Sequence, residues 1–292
     1  MGGAVHHGKA CVGVRRNPMV NLPWASVVIP TYGENGIGLT ETCLKSLVRT
    51  HSHVAPEIFV VSDGDTQPVL EQLDRVCQES KARLVVNGRG GFAHACNAGL
   101  AVANGHFTVF LVNNDIEFTE PTLQILSDAM AQTASGLVGC RLLYPDGRIQ
   151  HAGVFYIPNP PGSAIPGYFD HMLRFESALH PGAVTMRNSL VTGALMGISR
   201  WFIAEVGFLD ERYGFAVEDV DACLQCFESG RQCLYLGYTS AIHHEGASRG
   251  RTVEEKQALF PEIMEKENQA LVALHQKWVG IDWERFMLKG AP

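Results

Sequence analysis

From Trp24 onward the hydrophobic residues follow two alternating rhythms. "ASVVIP" is a short apolar run closed by proline, the pattern of a buried strand. "LTETCLKSLV" then puts Leu39, Cys43, Leu44 and Leu47 on one face of a helix. "EIFVVS" predicts a second strand, residues 67 to 80 a helix, "ARLVV" a third strand, Phe92 to Ala103 a helix, and "FTVFLV" a fourth strand. A further helix follows Glu120-Pro121, whose proline suits a first helical turn. Strands and helices in alternation predict an α/β fold with a mostly parallel central sheet flanked by helices. Such sheets bind ligands outside the carboxyl ends of their strands. Three polar clusters fall at those ends, "PTYGEN", "SDGD" and "NND", and are expected to border one crevice.

The second half has a different texture. Residues 136 to 156 read as strands turning at "YPDG", and a segment from Ile157 to about Asn188, rich in proline, glycine and aromatics, has no period. Long irregular segments in compact domains are often binding loops, so this one is expected to form a binding wall or lid. "LVTGALMGIS" returns to strand, and "RWFIAEVG" is a short helix closed by Gly207. "VEDVDACLQCFESG" is a helix with Val220, Cys223, Leu224 and Phe227 on its buried face and Gly230 at its C-terminal end. "SAIHH" is a late strand, and residues 252 to about 279 form an amphipathic C-terminal helix. Residues 1–22 lack hydrophobic periodicity and read as an arm. The main domain is expected over 23–250, split into a first half to 118 and a second from 119, with 251–292 as a C-terminal helical extension.

Composition narrows the classes. With 46% hydrophobic and 18% charged residues, the 292-residue chain has ample material for a core and reads as globular. A formal net charge of −7 does not advertise a basic surface for nucleic acid, though a local groove fits within that total. No apolar run approaches the roughly 20 residues of a spanning helix, and "MGGAVH" has His6 where a myristoylation signal requires Ser or Thr. Eight scattered cysteines and no charged-then-apolar leader before the first strand point to reduced thiols in a cytoplasm. Cys223 and Cys226 with Cys233 and His243 would be a zinc set, but Cys223 belongs to a helix's apolar face and there is no second close pair.

Two acidic features carry chemistry. In "TVFLVNNDIEF", Asp115 ends a strand beside Asn113 and Asn114, a turn that offers oxygen ligands to Mg²⁺ or Mn²⁺ when a diphosphate supplies the rest. The same residues also close a strand as an ordinary Asn/Asp turn. Glu218, Asp219 and Asp221 open a helix, where acids complement the dipole and cap free N–H groups; three exceed what capping needs.

"VVIPTYGEN", "VVSDGD", "NGRGGFAHACNAGLAVANG", "FLVNNDI", "VTGALMGISRWFIAEVGFLDERYGFAVEDVDACLQCFESG" and "AIHHEGAS" occur in the order and spacing of glycosyltransferase family 2. Over about residues 24 to 250 the chain resembles that family, and in particular its rhamnosyltransferase-like, non-processive members. The resemblance implies a GT-A fold, a nucleotide-sugar donor (a UDP- or dTDP-sugar), a Mn²⁺ or Mg²⁺ cofactor, a hydroxyl-bearing acceptor such as a saccharide, and inversion at the anomeric carbon. It places Pro30, Thr31, Tyr32 and Glu34 beside the base and ribose, with Asp63 as a carboxylate bonding one of them. Gly91, Phe92, Asn97, Asn113 and Asn114 fall on the nucleotide-sugar side. Asn113-Asn114-Asp115 stands where the family has Asp-X-Asp, so the charge rests on Asp115, with His243 completing the metal or pyrophosphate site and His244 facing the other way. Asp219 matches the general base, with Glu218 and Asp221 as alternatives, and Thr192, Gly193 and Asp221 fall on the acceptor side.

Other readings are weaker. A nucleotidyltransferase would share the crevice but has no use for the late acids, and a base-modifying glycosyltransferase would need a basic groove. A silent sugar-nucleotide-binding module would not need Asp115, Asp219 and His243 together. "NGRGGFAHACNAG" follows the third strand and lacks the ribose acid of a dinucleotide fingerprint. Processive synthases carry Gln-X-X-Arg-Trp, where this chain has Gly197 in "GISRW".

Overall fold

The computed structural model describes residues 24–53, 55–105, 107–214, 216–245, 258 and 262–288, so the N-terminal arm expected over 1–22 and the first part of the C-terminal helix lie outside the described residues. The first half is β1 (Ala25–Thr31), α1 (Glu34–Thr50), β2 (Glu57–Asp63), α2 (Gln67–Glu79), β3 (Arg83–Asn87), α3 (Phe92–Val102) and β4 (Thr108–Val112). After it come β5 (Ile116–Glu117), α4 (Thr122–Thr133), β6 (Leu137–Leu143), β7 (Ile149–His151), β8 (Val154–Pro158), β9 (Gly167–His171) and β10 (Met186–Asn188). The chain continues through β11 (Leu195–Ser199), α5 (Arg200–Glu205), α6 (Glu218–Glu228), β12 (Cys233–His243) and α7 (Ile263–Lys277). The expected alternation is present strand for strand, and the irregular segment contains two short strands that its sequence does not advertise.

Among the described residues ten strands form one sheet in the order β10-β12-β6-β11-β4-β1-β2-β3, with β5 added to β12 and β7 to β6; β8 and β9 form a separate hairpin. β1 to β4 pair in parallel, and β11 runs antiparallel between β4 and β6. The pleat divides the core in two. Val27, Ile29, Phe110 and Val112 face Leu44 and Leu47 of α1, Leu73 of α2 and Leu123 of α4 on one side. Val28, Val109 and Leu111 face Cys96 and Leu100 of α3, Val220 and Leu224 of α6, and Leu274 of α7 on the other. Each such leucine contributes about 1.5–3 kcal/mol when fully buried. Gly99 lets α3 lie directly on β1, since a Cβ there would sit 2.2 Å from Val28 Cγ1.

The C-terminal helix α7 belongs to this second core. Ala270 and Leu274 are buried, His275 Nε2 meets the Gly167 carbonyl at 3.0 Å, and Trp283 beyond the helix stacks on Tyr156 with centroids 5.0 Å apart. It is thereby fixed to the β8–β9 hairpin. No helix among the described residues is long and apolar enough to cross a membrane.

Candidate active site

The site forms where the two halves meet. β4 ends at Val112, and the Asn113 N–H donates to the Ala194 carbonyl at 2.8 Å while Ile116 N–H closes a turn on the Asn113 carbonyl at 3.1 Å. The chain reverses into β5, which pairs antiparallel with the end of β12 so that Ile116 lies opposite His243. His244 N–H donates to the Asp115 carbonyl at 2.9 Å. This register carries His243 Nε2 to 3.2 Å from Asp115 Oδ1, with both side chains buried. His244 faces the other way and meets Glu117 Oε2 at 3.1 Å. An octahedral hard cation with bonds of about 2.1 Å holds neighbouring donors about 3 Å apart, so the imidazole and carboxylate are spaced as two adjacent ligands. Asn113 adds a buried side-chain oxygen with no hydrogen-bond partner among the described residues. No described group of three or more His, Cys, Asp and Glu forms a full protein cage, which a cation sharing its shell with phosphate and water does not need.

At the carboxyl ends of β1 to β3 the polar clusters meet, largely by binding one another. Gly33 N–H donates to Asp65 Oδ1 at 2.6 Å, joining the loops after β1 and β2. Asp63, at the end of β2, accepts from Gly90 and Gly91 N–H groups at 2.8 and 3.0 Å and meets Arg89 Nη1 at 3.3 Å. The Arg89 guanidinium lies 3.4 Å from the ring centre of Tyr32, which is half exposed beside Pro30 at the crevice mouth. Glu34 is exposed in the first turn of α1. Gly91 needs its lack of side chain twice: its φ is +89°, and a Cβ would stand 2.8 Å from the Gly214 carbonyl of the second half.

Three expectations on this side are corrected. Asn97 does not turn toward a nucleotide sugar. Its Nδ2 donates to the Leu209 carbonyl at 2.9 Å and to Glu211 Oε1 at 2.8 Å, and its Oδ1 accepts from Leu209 N–H at 2.9 Å, so it clamps the 209–211 loop. Asn114 and Thr31 are likewise spent inside: Asn114 Nδ2 donates to Thr31 Oγ1 at 3.1 Å and to the Gly36 carbonyl at 3.3 Å, and both residues are buried.

The acids of α6 separate into different roles. Val217 enters the helix in the left-handed region at φ +63°, an uncommon state for a β-branched residue. Glu218 is buried in the first turn. Asp219 is half-buried, with Oδ2 accepting from Gly193 N–H at 2.8 Å and Oδ1 from Val220 N–H at 2.7 Å. A Cβ on Gly193 would come within 3.3 Å of Asp219 Cβ and 3.4 Å of Phe92, so this glycine lets the acid helix approach α3. Thr192 beside it is buried, its Oγ1 taking the Ala194 N–H at 3.3 Å. Asp221 is not on an acceptor surface. It is fully buried and binds Tyr213 Oη at 3.0 Å, Gln225 Nε2 at 2.8 Å, Lys277 Nζ at 2.7 Å and Trp278 Nε1 at 2.7 Å. It anchors α7, with Asp210 holding Arg212 and the same lysine.

A polar cluster that the motifs did not mark lies behind His243. Gln150 and His151 are buried on β7, and His171 comes from β9. Gln150 Oε1 lies 3.4 Å from His243 Nδ1 and its Nε2 3.2 Å from His171 Nδ1; the rings of His151 and His171 cross edge to face at 4.8 Å. Burial holds the imidazoles of both His151 and His171 below the usual range. At the end of β12, Glu245 accepts two contacts from Arg174 Nη2 at 2.9 and 3.0 Å and one from Tyr144 Oη at 2.9 Å, tying the irregular segment to the site. The signal was "IQHAG", two polar residues inside an apolar strand pattern before a glycine at φ +102°. The thiols of Cys223, Cys226 and Cys233 are buried, with Cys223 and Cys233 sulfurs 3.3 Å apart, and burial pushes Cys226 up to about 12.

The parallel strands β1 to β4, joined through antiparallel β11 to β6 and β12 and flanked by helices, make a GT-A type α/β fold. Residues 26–163 match the family model described as Glycosyl transferase family 2, the family that the motifs resemble. An uncharacterized protein, y4gI of Sinorhizobium fredii, is 30% identical over 254 residues, 83% of this chain and 27% of the relative. The O-antigen biosynthesis protein RfbC of Myxococcus xanthus is 27% identical over 248 residues, 80% of this chain and 18% of the relative. The chain thus spans about a quarter or less of the curated relatives it matches. Among solved structures, GalNAc-T7 with UDP, GalNAc and Mn²⁺ superposes with a TM-score of 0.66 at 16% identity, covering 91% of this chain and 50% of that one.

Proposed function

We propose that the chain transfers a glycosyl group from a nucleotide-sugar donor, a UDP- or dTDP-sugar, to an acceptor hydroxyl with inversion of the anomeric carbon. The observation that supports it most is the meeting of Asp115 and His243, from distant parts of the chain, at a spacing suited to adjacent ligands of a hard cation. These two residues would hold Mn²⁺ or Mg²⁺, which when bound offsets the charge that develops on the departing diphosphate. Tyr32 and Arg89 at the mouth offer a flat, cationic surface to the base, and the Gly90–Gly91 turn held by Asp63 lets the donor approach the backbone. Asp219 is the general base. As the acceptor oxygen bonds to the anomeric carbon, its proton passes to Asp219, and the bond from that carbon to the phosphate oxygen breaks with its electrons leaving on the nucleoside diphosphate. Gly193 N–H and Val220 N–H fix the carboxylate during this transfer. The acceptor is proposed to be a saccharide or glycoconjugate, received by the segment that Arg174 and Glu245 tie to the site.

A panel of nucleotide sugars screened by thermal shift with and without Mn²⁺ identifies the donor, because a specific ligand raises apparent stability. With that donor, Asp219→Asn keeps shape and loses proton acceptance. Donor binding is expected to stay near the parent's while turnover falls by about a hundredfold or more. Near-parental turnover would move the role to Glu218, and a product with retained configuration would overturn the in-line scheme.

A further inference from the structure

Resting on the reading of Asp115 and His243 as cation ligands, the geometry points to Gln150 as a positioning residue that fixes the tautomer of His243 and aims its Nε2 lone pair at the Asp115 carboxylate.

Gln150 occupies an unusual place in the sheet. Leu142 of β6 pairs with His151 and Leu143 with Ile149, and the register shifts between them, so Gln150 is the extra residue of a bulge. Bulges re-aim side chains beside functional sites. This one turns a 1% exposed amide into the space between two imidazoles. A buried amide in that position is costly unless its groups are paired.

The pairing determines where protons sit. An amide oxygen only accepts, so Gln150 Oε1, 3.4 Å from His243 Nδ1, attracts that nitrogen when Nδ1 carries the hydrogen. In the neutral ring the lone pair is then on Nε2, which lies 3.2 Å from Asp115 Oδ1. A nitrogen lone pair and a carboxylate oxygen at that distance repel unless something positive joins them. The arrangement therefore suits a cation better than a neutral histidine–carboxylate pair. Metal-bound histidines characteristically give their other N–H to such an acceptor, and its removal typically costs 10–100-fold in metal affinity. On its far side the amide nitrogen faces His171 Nδ1 at 3.2 Å, and that nitrogen also lies 3.2 Å from the Gln150 carbonyl. As an acceptor it takes the amide N–H; as a donor it serves the carbonyl.

The test uses the full chain and Mn²⁺ alone, with free Mn²⁺ followed by electron paramagnetic resonance. Gln150→Leu removes the acceptor and should weaken Mn²⁺ binding 10–100-fold. Gln150→Glu keeps an acceptor at the same place and should bind Mn²⁺ as tightly as the parent or more tightly, even where the buried carboxylate lowers the melting temperature. Parental affinity in Gln150→Leu overturns the proposal. So does equal weakening in both variants in step with lost stability, the mark of a merely structural residue. Nitrogen-15 spectra of the metal-free chain, with the His243 signal assigned by its loss in His243→Gln, should show the Nδ1–H tautomer in the parent and lose that preference in Gln150→Leu. If the parent takes up no Mn²⁺ but shows this tautomer change, the positioning role stands and the cation reading fails.

Discussion

The parallel strands β1 to β4 and the mixed strands from β6 to β12 handle polar residues in opposite ways. In the first region the polar groups at the strand ends are spent on each other: Asn114 on Thr31 and Gly36, Asp63 on Gly90 and Gly91, Asp65 on Gly33. In the second, polar groups are buried as a cluster of imidazoles, an amide and carboxylates centred on His243 and Gln150. The candidate chemistry lies on the seam. Asp115 from the first region meets His243 from the second, Gly91 approaches Gly214, and Phe92 approaches Gly193 beside Asp219. Position at the seam does not by itself turn a motif residue to a ligand, since Asn97 spans it to clamp the 209–211 loop.

The comparison breaks first at Asp221, whose buried carboxylate joins α6 to α7. Asp221→Ala leaves Lys277, Trp278 and Tyr213 without their shared partner. A loss of about 3–5 kcal/mol is expected in urea unfolding, the size seen when one member of a buried pair is removed. A change below about 1 kcal/mol would mean that α7 is not held there. The clamp across the seam is smaller. Asn97→Ala strips partners from the Leu209 N–H and carbonyl and should cost about 1–3 kcal/mol, with nucleotide affinity affected only through that loss. A selective loss of nucleotide affinity at unchanged stability would return Asn97 to the ligand.

Acid sharpens the contrast by a smaller amount. Burial, with neighbouring His171 next in effect, holds His151 well below 6.5. Below that pH the unfolded chain takes a proton that the folded one refuses, so stability present above pH 6.5 declines as the pH falls. The slope approaches about 1.4 kcal/mol per pH unit for this residue. His171 and His275, also lowered by burial, act in the same direction, as does His51 in the first region. Amide exchange at pH 5.5 should therefore rise more in β7 to β12 than in β1 to β4. Equal rises would refute a locally stored acid sensitivity.

Most of the first region was legible in sequence because one rule governs each element. A continuous apolar run such as Val27, Val28 and Ile29 marks a strand buried on both faces, and Leu44 and Leu47 mark the covered face of a helix. The meeting of Asp115 and His243 was legible from motif register. Its cause, the two-residue β5 pairing against β12, was not, because a pair of that length carries no period. Asn97 and Asp221 were misread for a related reason: residue type and spacing show that a polar group is needed, while the partner that uses it, Leu209 or Lys277, lies 112 or 56 residues away. Gln150 escaped because a bulge changes its direction without changing its neighbours in sequence.

The central claim is that the seam holds a nucleoside diphosphate through a cation on Asp115 and His243. Calorimetric titration of UDP, and of dTDP and GDP beside it, into the parent and Asp115→Ala with and without Mn²⁺ tests it most directly. The parent should bind one of these diphosphates more tightly with Mn²⁺. Asp115→Ala should lose that gain while keeping the metal-free affinity, since Asp63, Arg89 and Tyr32 are untouched. Equal Mn²⁺ enhancement in parent and variant would contradict the claim.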